Sequence, residues 1–295
     1  MSPGARVRVG LVLPTLGGDA HRVLGFARRA EELGYDGVFV PDHLGPVDAM
    51  PLEAATTLAA VAAATSRIAV GTLVLRSTLR PVGMLAKLVA TLDDVAAGRL
   101  VVGLGAGDAA SAAEQAALGL PSLGTDARRA HLAETIAALR ALLSGDPWSG
   151  GAHVGPIAGP ILPRPPHVPP IWVGGTSDAV AAIATDRADA WNGWGLDDGR
   201  FADVARRVVA GGAAATWGGI VAVGRTDAEV DDLLGRRRAA GLPDPHWSGT
   251  AAAFVDRVDG LGAIGVTWLT LVVAGGLAGI ERLASDAAPL LGGER

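Results

Sequence analysis

No cysteine occurs in the 295 residues, which removes disulfides, thiolate catalysis and cysteine-based metal sites from consideration. Lysine is nearly absent too: Lys87 stands alone in an Ala-, Gly- and Arg-rich chain, a composition typical of a GC-rich genome. Aromatic residues make up only 4%, although seven of them are tryptophan. The formal charge of −5 carries no basic excess, so nothing points to nucleic acid. The opening MSPGARVRVGLVLP runs directly into a strand pattern without an apolar h-region, and the expected address is cytoplasmic. One uncharged run, Gly260 to Ile280, could be mistaken for a membrane span. Its 21 positions hold six glycines and a β-rich centre, and it is read as loop, buried strand and loop; no membrane partner is expected.

What is present is enough for a large core. Apolar side chains are 49% and charged ones 19%, the balance of an ordinary globular chain. Length alone suggests two domains, but α/β barrels of about 250 residues form one, and residues 1–295 are read as a single domain.

The stretch from Arg67 to Asp108 organises the chain. An apolar run, Ile68 to Leu75, leads through Arg80-Pro81 into a helical pattern with Leu85, Leu88, Val89 and Leu92 on one face. Gly98 stops it, and a second apolar run, Leu100 to Leu104, follows. This is a β-α-β unit with strands buried on both sides. The alternation repeats elsewhere. Strands are expected at Val7–Leu13, Val38–Val40, Ile171–Val173, Ala190–Trp194, Gly219–Val223 and Val266–Val273. Helices are expected at His21–Leu33, Leu52–Ala64, Ala127–Leu143, Asp178–Arg187, Phe254–Leu261 and Gly279–Leu291, with a capping-box-like start at Thr226 to Glu229. Between Gly145 and Pro170 lie eight prolines and five glycines, read as an ordered excursion over one barrel end with a short hairpin admitted. A TIM (β/α)8 barrel is the economical architecture, and a doubly wound open sheet the alternative.

In either fold, ligands gather where strands end. Gly174-Gly175-Thr176-Ser177 joins a strand to a helix start. It is either a phosphate cradle or a tight turn with Ser177 as helix cap. Gly103, Gly105 and Gly107 admit either close approach of a ligand or close packing. Asp42-His43 ends the second strand; histidine titrates near neutrality and can hold a proton, although a lone histidine is usually structural. Trp191 and Trp194 end another strand and either line a pocket or pack as core. His21, His131, His153, His167 and His246 lie in no metal-ligand spacing, so no metal is proposed. Arg236-Arg237-Arg238 reads as a solvated helix face.

Five segments in their order and spacing resemble the luciferase-like monooxygenase family of flavin and deazaflavin oxidoreductases, especially its coenzyme F420-dependent branch. They are GVFVPDH (Gly37 to His43), RIAVGTLVLRSTLRP (Arg67 to Pro81), ATLDDVAAGRLVVGLGAGD (Ala90 to Asp108), PPIWVGGTS (Pro169 to Ser177) and ADAWN (Ala188 to Asn192). The resemblance implies a bacterial-luciferase-like barrel with an insertion around residues 145–170, acting on a small-molecule substrate; a homodimer is compatible with it. It implies His43 beside the reactive face of the ring, Asp42 on the ribityl chain, and Asp108 where some relatives carry a catalytic glutamate. It further implies cofactor contacts at Leu73, Val74, Gly105, Ala106, Gly107, Ser111 and the Gly174–Ser177 cradle; Trp191 and Trp194 are the substrate-pocket candidates by their place at a strand end. A non-prolyl cis peptide between Leu73 and Val74 is part of the same implication.

Several positions depart from the pattern. Leu44 stands where relatives often place an aromatic residue, Arg76 where they are often small or hydroxylated, and Ser111 where some have asparagine. The lysines that hold a sugar phosphate in glucose-6-phosphate-oxidising relatives have no counterpart, so that substrate is not expected. Three functions follow as expectations: an F420-dependent oxidoreductase, which is favoured; an FMN-dependent two-component monooxygenase; and a barrel that binds without turnover.

Overall fold

The short, uniformly apolar runs become strands buried on both sides, and the one-faced segments between them become helices on the outside. The computed structural model describes residues 6–45 and 51–291; the first five residues of the N-terminal stretch lie outside it. In chain order the elements are β1 (Arg8–Val12), α1 (Ala20–Glu32), β2 (Gly37–Val40), α2 (Ala54–Ala64), β3 (Ala69–Thr72), β4 (Leu75–Arg76), α3 (Val82–Ala96) and β5 (Leu100–Gly105). Then come α4 (Ser111–Ala117), α5 (Thr125–Ser144), β6 (Ile171–Gly174), α6 (Asp178–Arg187), β7 (Ala190–Trp194), α7 (Asp198–Ala210), β8 (Ala214–Gly224), α8 (Asp227–Ala239), β9 (Trp247–Thr250), α9 (Ala251–Ala263), β10 (Val266–Val273) and α10 (Gly276–Asp286).

Eight parallel strands run in the order β10-β1-β2-β3-β5-β6-β7-β8, and β8 pairs back onto β10 from Val266↔Ala215 to Val273↔Val221. That closure makes the sheet a TIM barrel and excludes the open doubly wound alternative. No described helix is long and apolar enough to cross a membrane, and Val266–Val273 within the uncharged run is a barrel strand.

Local rules account for the helices. Asp19 caps α1 by accepting the Arg22 N–H, and Val23, Phe26, Ala27 and Ala30 form its buried stripe. Thr226 caps α8, but Glu229 reaches back to the Arg225 N–H, one residue short of the reciprocal capping box. The last helix stops at Asp286 rather than Leu291, because Pro289 cannot continue it and a short 3₁₀ turn follows. The excursion contains the hairpin contact Trp148↔Ile157, and Glu134 of α5 clamps its tip by accepting the N–H groups of Ala152, His153 and Val154 at 2.7–2.9 Å.

Beyond the early end of α10, α4 and α7 have no counterpart among the expected elements, β8 begins at Ala214 instead of Gly219, and Trp247–Thr250 forms a further barrel-aligned strand. The last two are linked: β7 pairs with β8 only as far as Trp194↔Gly218, and β9 takes over the edge from Val221↔Trp247.

Inside the barrel the side chains form layers. Phe39, Trp172 and Trp268 plug the lower half, with ring centroids 5.3–5.8 Å apart. Above them Asn192 donates to Thr216 Oγ1 at 2.8 Å and Thr270 Oγ1 at 3.1 Å. The layer above that is largely glycine, and Val74 and Trp194 pack into the space left at Gly105, Gly174 and Gly218, while Arg8, Trp172 and Trp268 line a cavity at the amino end.

Candidate active site at the carboxyl end of the barrel

The wall of the mouth begins where β3 breaks into β4. The Leu73–Val74 peptide is cis, as the resemblance implied. Val74 turns toward the ends of β5 and β6, and a Cβ added at Gly105 or Gly174 would lie 2.6 or 2.7 Å from its methyl groups. These glycines therefore serve close packing of Val74, and the resulting wall is made of backbone and one partly buried valine. Ala106 is buried behind it, and Gly107, with φ +71°, turns the chain out toward Asp108.

The next segment along the rim is Gly174–Ser177. Ser177 caps α6 by accepting the Val180 N–H at 3.4 Å. Among the described residues, Thr176 and Ser177 donate their N–H groups to no backbone acceptor, and in the first turn of α6 the N–H groups of Asp178 and Ala179 have no partner. The turn and cradle readings thus hold together. Gly175 is pinned from both sides, its N–H on Asn192 O at 3.1 Å and its carbonyl on Trp191 Nε1 at 2.8 Å.

That bond corrects the expectation for Trp191. It is fully buried, stacked on Phe201 of α7 at 5.4 Å, and lies between barrel and helices rather than in the pocket. Alternation explains it: Ala190, Asn192 and Trp194 point inward, so position 191 must point outward. Trp194 does reach the mouth, where it is half-buried and would touch a Cβ on Gly218 at 2.5 Å.

Asp42 is also reassigned. Its side chain is 1% exposed and fully engaged: Arg80 donates to both carboxylate oxygens at 2.8 and 3.0 Å, and the Arg76 N–H donates at 3.0 Å. Three donors and near-complete burial turn this carboxylate away from a ribityl chain. Arg80 also donates to Glu53 at 2.6 Å, and Glu53 caps α2. Burial opposes ionisation of Glu53, but the Thr56 N–H and Arg80 outweigh it and hold the carboxyl down at about 2. On the other side, buried Arg76 donates to the Asp42 carbonyl at 2.8 Å and to Glu114 of α4 at 3.0 Å. Glu114 in turn accepts the Leu44 N–H at 3.2 Å. The chain Glu53–Arg80–Asp42–Arg76–Glu114 laces α2, β2, β4 and α4 together along the rim. Sequence reading missed it, although Arg76 stood out as a departure.

Within this frame His43 is exposed at the mouth, its ring without a hydrogen-bond partner among the described residues. Asp108 is different. One of its oxygens accepts the Ser111 hydroxyl at 2.7 Å and N–H at 2.8 Å, and chiefly the hydroxyl keeps the carboxyl below its usual range despite partial burial. Nearby Arg76 and Arg128 act in the same direction. A carboxylate held ionised is a poor proton donor, so Asp108 starts α4 and Ser111 is its partner.

The mouth therefore brings together His43, Leu73, Val74, Gly105, Gly107, the Gly174–Ser177 turn and Trp194. Two curated F420-dependent glucose-6-phosphate dehydrogenases align with the chain. The one from Beutenbergia cavernae is 34% identical over 55% of this chain and 49% of its own length. The one from Kineococcus radiotolerans is 31% identical over 72% and 62%. The chain thus spans about half to three fifths of these relatives. The coenzyme F420-dependent tetrahydromethanopterin reductase of Methanopyrus kandleri has the same fold, with a TM-score of 0.78 at 18% identity over 97% of this chain and 100% of that one. Residues 5–261 match the luciferase-like monooxygenase family along most of the barrel, and the chain belongs to that family.

Proposed function

We propose that this chain is an oxidoreductase that binds coenzyme F420 at the carboxyl-end mouth of the barrel and exchanges hydride with a small organic substrate. The observation that carries it is the placement of an apolar wall, Val74 over Gly105 and Gly174, on the same rim as a helix start whose Asp178 and Ala179 N–H groups are free. A planar ring with a phosphate-bearing tail needs both on the same side of one mouth. The names of the aligned relatives favour the deazaflavin over FMN. When bound, F420 supplies a two-electron hydride carrier.

The chain supplies the rest. Thr176, Ser177 and the first turn of α6 hold the phosphate, Leu73 and Val74 back the ring, and His43 holds or passes a proton on the open side. Glucose 6-phosphate is not the proposed substrate. The single lysine, Lys87, lies on α3 and donates to the Leu162 carbonyl of the excursion.

Titration of tryptophan fluorescence tests the cofactor, since Trp194 stands at the mouth. Affinity for F420 is expected to exceed that for FMN at least tenfold, a difference of only about 1.4 kcal/mol. Equal affinities or tighter FMN binding would overturn the reading and promote the FMN-dependent monooxygenase.

The phosphate assignment has its own test. A Cβ on Gly175 would lie 2.8 Å from Val180 Cγ1, so a bulky residue there is expected to unsettle α6 as well as the cradle. Thr176→Val is the cleaner variant because Thr176 is exposed. It should leave the melting temperature within a degree or so, as surface changes cost roughly 0.5 kcal/mol or less, and weaken F420 binding about fivefold. Unchanged affinity would remove the hydroxyl from the site.

A further inference from the structure

Beside Trp194 another imidazole is held in one orientation. In the ring of eight strands, β2 and β7 are four positions apart, so Trp194 at the end of β7 faces the end of β2 over the mouth, and His246 stands beside Trp194. His246 occupies the handover on the β8 edge, after β7 ends and before β9 begins. Its N–H donates to the Ile220 carbonyl at 2.9 Å, and its Nδ1 accepts the Ile220 N–H at 2.8 Å.

A backbone donor at Nδ1 places the proton of the neutral ring on Nε2 and opposes a second proton. Partial desolvation of the ring also pushes the pKa below its ordinary value. The ring stands edge-on to Trp194 with centroids 6.1 Å apart. Two glycines make room for it: a Cβ on Gly195, whose φ is +65°, would lie 2.7 Å from Nε2, and one on Gly219 would lie 3.2 Å from Nδ1. Among the described residues Nε2 has no hydrogen-bond partner, and the residue is exposed. The result is an oriented, uncharged donor beside the aromatic ring that ends β7.

We propose that His246 is a substrate-binding residue of this mouth, its Nε2–H donating to a neutral carbonyl or hydroxyl oxygen of a small substrate whose body packs on Trp194. The inference rests on the reading of the mouth as an F420-dependent redox site, and it narrows the substrate class. A neutral imidazole gives one hydrogen bond but no full charge, which suits an uncharged oxygen and not a phosphate dianion.

Cyclohexanone serves as the probe, titrated into protein labelled with 15N at histidine, with and without F420. The His246 Nε2–H resonance is expected to shift saturably. His246→Asn retains an acceptor for the Ile220 N–H but has no atom at Nε2. It should therefore keep the melting temperature and the F420 affinity, while KM for ketone reduction rises about tenfold, the order of one hydrogen bond. His246→Gln, whose amide reaches the Nε2 position, should recover part of that loss. An unmoved His246 resonance in the F420-loaded protein, or an unchanged KM in His246→Asn, would overturn the proposal and leave the ring as a cap on β8. Loss of F420 binding by the unmodified protein, with the ketone shift intact, would instead sink the cofactor reading and leave the His246 site standing.

Discussion

His43→Ala is expected to bind F420 as the unmodified protein does and to transfer hydride at least a hundredfold more slowly. A positioned group that holds or passes a proton contributes roughly 10²–10⁴-fold to rate. Asp108, the other candidate, is kept ionised by Ser111 and does not replace it as a proton donor. The substitution should be clean. His43 is exposed, and its flanks are anchored independently, Asp42 by Arg80 and the Leu44 N–H by Glu114. Removing the ring therefore leaves the loop in place. Rapid mixing of the F420-loaded protein with a substrate found by screening gives the single-turnover rate, and fluorescence gives the cofactor affinity. A normal rate would reduce His43 to a solvated loop residue; a lost affinity would assign it to binding instead of proton handling.

The second large effect concerns stability. Asp42→Ala leaves the Arg80 guanidinium, 17% exposed, facing a vacated partner, and also orphans the Arg76 N–H. Breaking a buried pair by removing one member costs about 3–5 kcal/mol, and the lower end applies because Glu53 still pairs with Arg80. At about 2–4 °C per kcal/mol, the melting temperature should fall by roughly 6–12 °C. Asp42→Asn, which keeps the shape and some hydrogen bonds, should fall less. A variant as stable as the parent would mean that the rim network contributes nothing to the fold.

The same network sets an acid limb. The Glu53 carboxyl lies at about 2 in the fold, below the roughly 4.3 of an unfolded chain. Its stabilisation is therefore complete above the unfolded value and is lost as pH falls toward about 2. Because Glu53 is partly exposed, solvent screening makes the contribution modest. The melting-temperature difference between the parent and Glu53→Gln should be constant near neutrality and shrink below about pH 4.5.

Much of this molecule is written locally. A strand buried on both faces needs only a short apolar run, and a helix on the outside needs a stripe at three- and four-residue spacing with a cap. Ile68–Thr72, Leu100–Leu104 and the stripe Leu85, Val89, Leu92 carry those patterns in adjacent residues. Alternation of the two element types then leads to the barrel, and the barrel puts Pro41-Asp42-His43, Gly105 and Gly174–Ser177 at one end. None of that requires knowledge of distant contacts.

What only the tertiary structure decided involves partners far apart in the chain. Asp42 looked free because Arg80 is 38 residues away, and Glu114 meets Arg76 across the same separation. Charge carries no record of which opposite charge it will meet. Trp191 and Trp194, three apart on one strand, had to face opposite sides, but which side was inward depended on how β7 sits between β6 and β8. Strand β9 has no apolar run of its own; WSGT becomes extended because β7 ends at Trp194 and leaves β8 with unpaired N–H and C=O groups. His246 is fixed by that same vacancy, through a hydrogen bond to Ile220 that exists only once the barrel has closed.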